Sequence, residues 1–378
     1  FITVSNRDRR TLSQEVRLTS SDAGRLFNDS TDWLLGVYVL RMDDGLDNLN
    51  QGEYVDPFFN FSLTLDDRYA GQFESLSGAV FGELDIAIGD AGLLTTGIRI
   101  ERRSVDYQDS TGLMLDPAES MAGGELRYRH DVSPASSLFV ALSKGYKAGG
   151  FNLGVVPTGR REFARETMWN LELGTRSTLL DDTLHVSSVA FYSERKDQQV
   201  RTSFQLTPND PTSFVFFTDN AASGRTLGLE SELRYQPSET WQWYLSIGLL
   251  RAEFDEFVTP QVSLSGRDQA HAPRYTVAAG GSWQSESGWF ARLDMNARDE
   301  FYFDVSHDQR SAAYQLLNGR LGYNAEDWTV QLWARNLLDE TYAVRGFFFG
   351  NEPPDFPNAL YTRQGDPRQL GVTFDMRF

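Results

Sequence analysis

The sequence predicts an all-β chain folded as a transmembrane, antiparallel, up-and-down β-barrel. Three observations carry that expectation. Apolar residues recur at every second position through most of the chain, and helical periodicity is nearly absent. Short and long connections alternate strictly between these runs, as in a meander with one tidy rim and one elaborate rim. Six of the eight tryptophans, Trp33, Trp241, Trp243, Trp283, Trp289 and Trp328, fall within five residues of the short turns. A membrane barrel places its interfacial aromatic girdle there. A soluble propeller would instead repeat one aromatic per blade every ~40–50 residues, and no such repeat occurs.

Taken in order, the alternation predicts about fifteen strands: 11–19, 32–41, 72–88, 92–106, 121–132, 136–148, 165–180, 183–204, 222–236, 241–257, 273–284, 289–303, 311–323, 327–337 and 368–378. Residues 1–8 read as the remnant of a further strand. In 165–180, Trp169, Leu171 and Leu173 alternate with Asn170, Glu172, Gly174 and Arg176. In 222–236, Leu227, Leu229, Leu233 and Tyr235 alternate with Gly228, Glu230, Glu232 and Arg234. Trp241, Trp243, Leu245, Ile247 and Leu249 continue the pattern, as do Trp328, Val330, Leu332 and Ala334 against Thr329, Gln331, Trp333 and Arg335. The short connections are rich in turn formers: GDAG at 89–92, DVSPASS at 131–137, LLDDT at 179–183, QPSET at 236–240, QSESG at 284–288 and NAED at 324–327. The long ones are expected at about 42–71, 107–120, 149–164, 205–221, 258–272 and 338–367.

The last strand ends on GVTFDMRF, with Val372, Phe374, Met376 and Phe378 alternating against Thr373, Asp375 and Arg377. A large apolar residue at a terminus rarely repays its ordering entropy in water. It fits a strand whose apolar face meets lipid, with Phe378 anchored at the tidy rim. That strand is expected to pair with the first, because a bilayer offers no water to an open edge. Nothing in 1–378 reads as a linker or a second domain.

Composition narrows the function classes. The 378 residues carry 35 basic and 53 acidic side chains, a formal charge of −18, which argues against a nucleic-acid partner. No cysteine is present, so neither disulfides nor thiolate metal sites exist. No stretch approaches the roughly 18 consecutive apolar residues of a membrane helix. Starting at Phe1, already in strand-like sequence and without a leader, the chain reads as a processed or truncated piece.

Several segments, LSQEVRLTS (12–20), LSKGYKAGGFN (142–152), WNLELGTRSTLLDDTLHVSSVAFYSERKDQQV (169–200), NAASGRTLGLESEL (220–233), HAPRYT (271–276) and LWARNLLDETY (332–342), share order and spacing with one family. On these the chain resembles the C-terminal β-barrel of a TonB-dependent outer-membrane receptor. The ending, Gly371 with Phe374, Met376 and Phe378 at two-residue spacing, is similar to the signal read by the barrel-assembly machinery. The resemblance implies a Gram-negative outer-membrane protein that binds a scarce nutrient, most often an iron–siderophore complex, and imports it with energy from TonB. It also implies twenty-two strands, an N-terminal plug and a TonB-contacting box. Neither plug nor box is in these residues, so TonB contact would belong to the missing N-terminal region, along with about seven strands. Outer-membrane lipid and lipopolysaccharide are the surrounding partners. Two alternatives are a passive sixteen-stranded porin-like pore, closed by residues 1–8, and a surface-binding barrel without transport.

Signs of catalysis are lacking. His130, His185, His271 and His307 are scattered without metal-ligand spacing. GGFNLG (149–154) lacks the strand, helix and Lys-Ser/Thr pair of a phosphate loop, and no G-x-S-x-G elbow occurs. No cofactor or metal is expected, and the chain is read as a non-enzyme. The informative chemistry is on the elaborate rim. Segment 42–71 sets Asp43, Asp44, Asp47, Glu53, Asp56, Asp66 and Asp67 against Arg68 alone, and 107–120 holds Asp109, Asp116 and Glu119 with no base. Segment 338–367 has five acids against Arg345 and Arg363. Such a vestibule either repels polyanions or simply solvates the cell-surface end. In GFFFGNEPPDFPNALY (346–361), Phe347, Phe348 and Phe349 cannot all point one way on a strand, so some must enter the vestibule or pack on neighbouring loops. They are candidate ligand-binding residues, with Phe356 and Tyr361 beside them. Tyr146, Lys147, Phe151 and Asn152 are further candidates at the same rim.

Overall fold

The computed structural model describes residues 2–377 except 57–60, 155, 158, 206–213, 258–262, 351, 353–354 and 356. Phe378, the expected anchor, and Phe356 lie outside the described residues. In chain order the strands are β1 (Ile2–Thr19), β2 (Thr31–Asp56), β3 (Phe61–Ile88), β4 (Gly92–Asp109), β5 (Met114–Leu115), β6 (Ala118–Ser133) and β7 (Ser136–Lys147). There follow β8 (Gly150–Phe151), β9 (Glu162–Phe163), β10 (Glu166–Leu179), β11 (Leu184–Gln205), β12 (Phe214–Tyr235) and β13 (Trp241–Phe257). The rest are β14 (Tyr275–Gln284), β15 (Trp289–Arg298), β16 (Tyr314–Asn324), β17 (Trp328–Arg335), β18 (Ala343–Gly350), β19 (Asn358–Gln364) and β20 (Gln369–Met376). Fifteen of these form one antiparallel meander from β1 to β20. The short β5 pairs with β4, and β8–β9 and β18–β19 are separate two-stranded ladders within long connections.

Two-residue alternation explains the wall. In the β10–β13 ladders, Leu171, Tyr192, Leu227 and Arg251 form one row; Leu173, Ala190, Leu229 and Leu249 form the next. Leu171, Leu173, Leu227 and Leu249 are all exposed, because this face meets lipid rather than a protein core. Inward lie Glu172, Gly174, Gly228 and Glu230. The tidy rim carries the aromatic belt: Trp241 stacks on Trp243 at 5.4 Å and meets Trp283 at 6.3 Å. Tyr323 links Trp289 (5.3 Å) to Trp328 (5.6 Å), which stacks on Phe374 at 6.1 Å.

A recurring device sets the inner wall. Gly36 faces Phe81, Gly174 faces Phe139, Gly228 faces Phe191, Gly280 faces Tyr244, Gly322 faces Phe290 and Gly371 faces Trp333, each directly across a ladder. A Cβ on any of these glycines would sit 2.2–2.5 Å from the facing ring. The ring lies flat in the space the missing side chain leaves, so a bulky residue occupies the wall without projecting far into the lumen.

The structure corrects four expectations. Residues 1–8 and 11–19 are one continuous strand, β1. Of segment 42–71, residues 42–56 and 61–71 are ladder, not loop: β2 and β3 pair from Thr31↔Ile86 to Asp56↔Phe61. Above the membrane both faces meet water, so apolar alternation fades while backbone pairing continues. Segments 205–221 and 338–367 likewise contain strand, since β12 begins at Phe214 and β18 pairs with β19. Finally, β1 and β20 do not pair among the described residues. Fifteen antiparallel strands leave the first and last running parallel, so the expected antiparallel closure, and the sixteen-stranded pore built on it, is not the arrangement of this meander.

The buried core lies at the elaborate rim, not in the wall. Val200, Ala222, Phe254, Phe257 and Leu264 pack together with Val305 against them. Among the described residues no helix is long and apolar enough to cross a membrane.

Candidate functional site

The elaborate rim holds two aromatic groups. The first grows from the upper ends of β3, β4 and β7. Phe151 on β8 lies 5.0 Å from the Tyr107 ring and 6.2 Å from Phe73. The Tyr107 hydroxyl, buried, donates to Asp109 Oδ2 at 3.0 Å and accepts from the Tyr69 hydroxyl, which itself lies 3.2 Å from the same carboxylate oxygen. Burial would raise the Asp109 carboxyl. Hydrogen bonds from the Thr111 and Tyr107 hydroxyls and from the Thr111 and Leu113 backbone N–H groups hold it down to about 2. Burial, then its bonds to Tyr69 and Asp109, pushes the Tyr107 phenol well above its ordinary value. The result is a carboxylate fixed as an acceptor beneath an aromatic floor. Sequence reasoning missed Tyr69, Phe73 and Tyr107; Val105, Tyr107 and Asp109 do continue the β4 alternation, and that was the available signal.

Phe151 is thus one expected residue within this group, and three others lie on the same rim. The Tyr146 hydroxyl donates to Glu101 Oε2 at 3.1 Å, and Glu101 also pairs with Arg99 at 2.8 Å. Lys147, at the end of β7, is exposed opposite Glu166. Asn152 is buried and its amide is fully engaged. It donates to the Arg160 and Thr218 carbonyls at 2.8 Å each and accepts from the Thr218 N–H at 2.7 Å. Asn152 therefore staples the β7–β10 connection onto β12. Gly149 and Gly150 precede it for a steric reason: a Cβ would lie 2.6 Å from the Phe163 carbonyl oxygen at the first and 2.7 Å from the Phe163 ring at the second.

The second group is the β18–β19 hairpin. Phe347 opposes Tyr361, Phe348 opposes Leu360 and Phe349 opposes Ala359, which sends Phe347 and Phe349 to one face and Phe348 to the other. Phe347 (46% exposed) lies under the Arg345 guanidinium at 4.8 Å; Phe349 (40%) meets Tyr361 at 5.3 Å. Phe348 packs 5.8 Å from His307, whose imidazole burial pushes below its ordinary value. Beneath the hairpin, Gly346 rests on the buried Phe303 ring. No ring contact joins the two groups among the described residues.

The acids are less free than their count implies. Asp44 is held between Arg7 at 2.5 Å and Arg9 at 2.6 Å, Asp47 meets Arg68 at 2.6 Å and Asp43 meets Arg41 at 3.0 Å. The Arg7 hydrogen bond above all holds the Asp44 carboxyl far below the usual range. Arg7 and Arg9 come from β1, which sequence reading divided in two, whereas Arg41 and Arg68 lie on β2 and β3. Lower in the lumen, Arg292, Asp294, Asn318, Gln331 and Arg335 line a polar recess of about 560 Å³.

Comparison with known proteins adds what geometry alone does not. The family profile described as TonB dependent receptor-like, beta-barrel matches residues 2–337. The chain belongs to the TonB-dependent receptor β-barrel family. It is therefore an outer-membrane β-barrel protein of a group made up of receptors and transporters rather than enzymes. The pesticin receptor of Yersinia pestis is 26% identical over 235 residues, which cover 60% of this chain and 33% of that receptor. Among solved structures, the ferric yersiniabactin uptake receptor FyuA from Yersinia pestis aligns over 100% of this chain and 55% of its own, with TM-score 0.74 and 21% identity. The siderophore receptor PiuA from Acinetobacter baumannii aligns over 98% and 56%, with TM-score 0.74 and 14% identity. The copper transporter OprC aligns over 100% and 58%, with TM-score 0.73 and 16% identity. The chain spans about half the length of these structures, and these similarities concern fold.

Proposed function

We propose that these residues form the C-terminal part of the barrel of a receptor that captures a ferric siderophore at the cell surface and imports it with TonB-derived energy. The observation that carries this reading is the family match over 2–337, joined to an elaborate rim that presents Phe347 and Phe349 on one exposed face. Aromatic faces suit the flat or apolar surfaces of an iron chelate. Several structural neighbours bear the names of ferric-chelate receptors, which supports the same ligand class. TonB would engage a part of the receptor outside these residues. The barrel-assembly machinery would read Gly371, Phe374, Met376 and Phe378.

The test is uptake of radioactive iron by iron-starved cells, presented as a panel of ferric siderophores, with radioactive copper alongside. Deleting the gene should abolish uptake of at least one ferric chelate, and the full-length gene should restore it only where TonB is intact. Unchanged iron uptake across the panel would overturn the reading, and selective loss of copper uptake would replace the ligand class.

A further inference from the structure

At the elaborate rim one guanidinium is almost wholly buried. The Arg267 side chain is 10% exposed, in a segment, 264–269, that is fastened to the end of β13. The Leu264 N–H donates to the Phe257 carbonyl at 2.9 Å, the Phe254 N–H to the Arg267 carbonyl at 3.0 Å and the Gln269 N–H to the Ala252 carbonyl at 2.8 Å. Leu264 also enters the buried core. From this base Arg267 reaches a different excursion, the one between β15 and β16. Its Nη1 donates to the His307 carbonyl at 3.1 Å and to Asp308 Oδ1 at 2.6 Å, and its Nη2 donates to the Asp304 carbonyl at 2.6 Å. The guanidinium carbon lies 4.2 Å from the centre of the Tyr302 ring.

The segment that Arg267 grips is the one on which the aromatic hairpin rests. Phe303, buried, fills the space at Gly346, where a Cβ would lie 2.4 Å from its ring. His307 lies 5.8 Å from Phe348. Val305, between them in sequence, packs on the buried core. Contacts therefore run from β13 through 264–269 and 302–308 to β18. Phe348 is on the side of the hairpin that meets this layer, and Phe347 and Phe349 are on the other.

An apolar side chain could fill the space of Arg267 without the cost of burying a charge, so packing alone does not account for a guanidinium there. Two of its three bonds go to backbone carbonyls, those of Asp304 and His307. A planar fork bonded at both ends fixes the path of that backbone, which an ammonium or a methyl group does not.

We propose that Arg267 is a positioning residue of the ligand site. It fixes the 302–308 layer and, through Phe303 and His307, the placement of the β18–β19 hairpin, so that Phe347 and Phe349 meet an incoming chelate already ordered. A loop ordered in advance binds more tightly than one that must order on binding. The inference rests on the ferric-chelate reading for its ligand, while the ordering of the hairpin does not depend on that reading.

The experiment uses the full-length receptor in mild detergent, followed by hydrogen exchange and by titration with the ferric siderophores of the uptake panel. R267Q and R267K should both speed exchange in 343–350 and 358–364 by about tenfold or more, the scale of losing a charge-assisted hydrogen bond, and leave 107–109 and 145–152 unchanged. Lysine keeps the charge and should not rescue. D308N, a milder variant that weakens only the leg whose acceptor side chain is 80% exposed, should speed exchange less. Affinity should fall by about tenfold or more in R267Q and R267K, and adding F348A should cost little further, because both substitutions act through one hairpin. Unchanged hairpin exchange in the folded variants overturns the proposal. So does equal acceleration across the whole receptor, restoration by lysine, or affinity losses that add in full. If the unaltered receptor binds no chelate of the panel, the ferric-chelate reading fails, and hairpin exchange alone decides the role of Arg267.

Discussion

Replacing Gly371 by alanine adds one methyl group where Trp333 leaves no room. The new Cβ would lie 2.2 Å from Trp333 Cζ2 and 2.5 Å from Cε2, so the indole must retreat by roughly 1 Å to reach ordinary contact. Retreat also breaks the 3.1 Å bond from Trp333 Nε1 to the Thr373 hydroxyl. Overpacking costs about 1–3 kcal/mol and a neutral hydrogen bond about 0.5–1.5 kcal/mol, so Gly371→Ala should destabilise by about 2–4 kcal/mol. The assay is denaturant unfolding of the full-length receptor refolded into lipid vesicles, read by the gel shift of the folded form. Refolding without the assembly machinery isolates packing from any role of Gly371 in recognition. In a Trp333→Leu background the same alanine should cost less than about 1 kcal/mol, because no ring covers the glycine. A cost below about 0.5 kcal/mol in the unaltered background, or the same cost in both, would refute the ring-over-glycine account.

Three further outcomes are expected. Asp44→Asn should speed hydrogen exchange in 3–10 and 41–50 at neutral pH. Because the folded Asp44 pKa is depressed, its contribution is present above the unfolded value of about 3.9 and disappears as pH falls toward the folded value, so variant and unaltered protein should converge in acid. Phe347→Ala and Phe349→Ala should each weaken ligand binding by about 1–3 kcal/mol while leaving the hairpin intact, whereas Phe348→Ala should loosen the hairpin from the His307 loop, seen as increased proteolysis there. A protease site placed at Ser110–Gly112 should be cut in intact cells, and one at Ser238–Glu239 only after the outer membrane is opened; the 48–51 segment is a poor place for such a site, being paired on both edges.

The membrane-spanning wall was legible because lipid imposes a rule on every second residue. Leu171, Leu173, Leu227 and Leu229 announce their strands, and the tryptophans mark the rim where those strands turn. Above the bilayer the rule lapses. β2 and β3 keep pairing to Asp56↔Phe61, but Asp43, Asp44 and Asp47 sit among residues whose two faces are equally wet, and an acidic ladder reads as an acidic loop. Register was the other hidden quantity. Gly228 and Phe191 are far apart in sequence, and only pairing reveals that one fills the space the other leaves. Asp44 shows the same limit in electrostatics: its partners Arg7 and Arg9 belong to a strand that alternation alone cut in two. At the rim, the FFF triplet was legible as a split between faces, because alternation requires it. The Tyr69–Tyr107–Asp109 group was not, since it forms only when β3 and β4 extend together beyond the membrane. Features set by the solvent were written in local pattern, and features set by a neighbouring strand needed the neighbour.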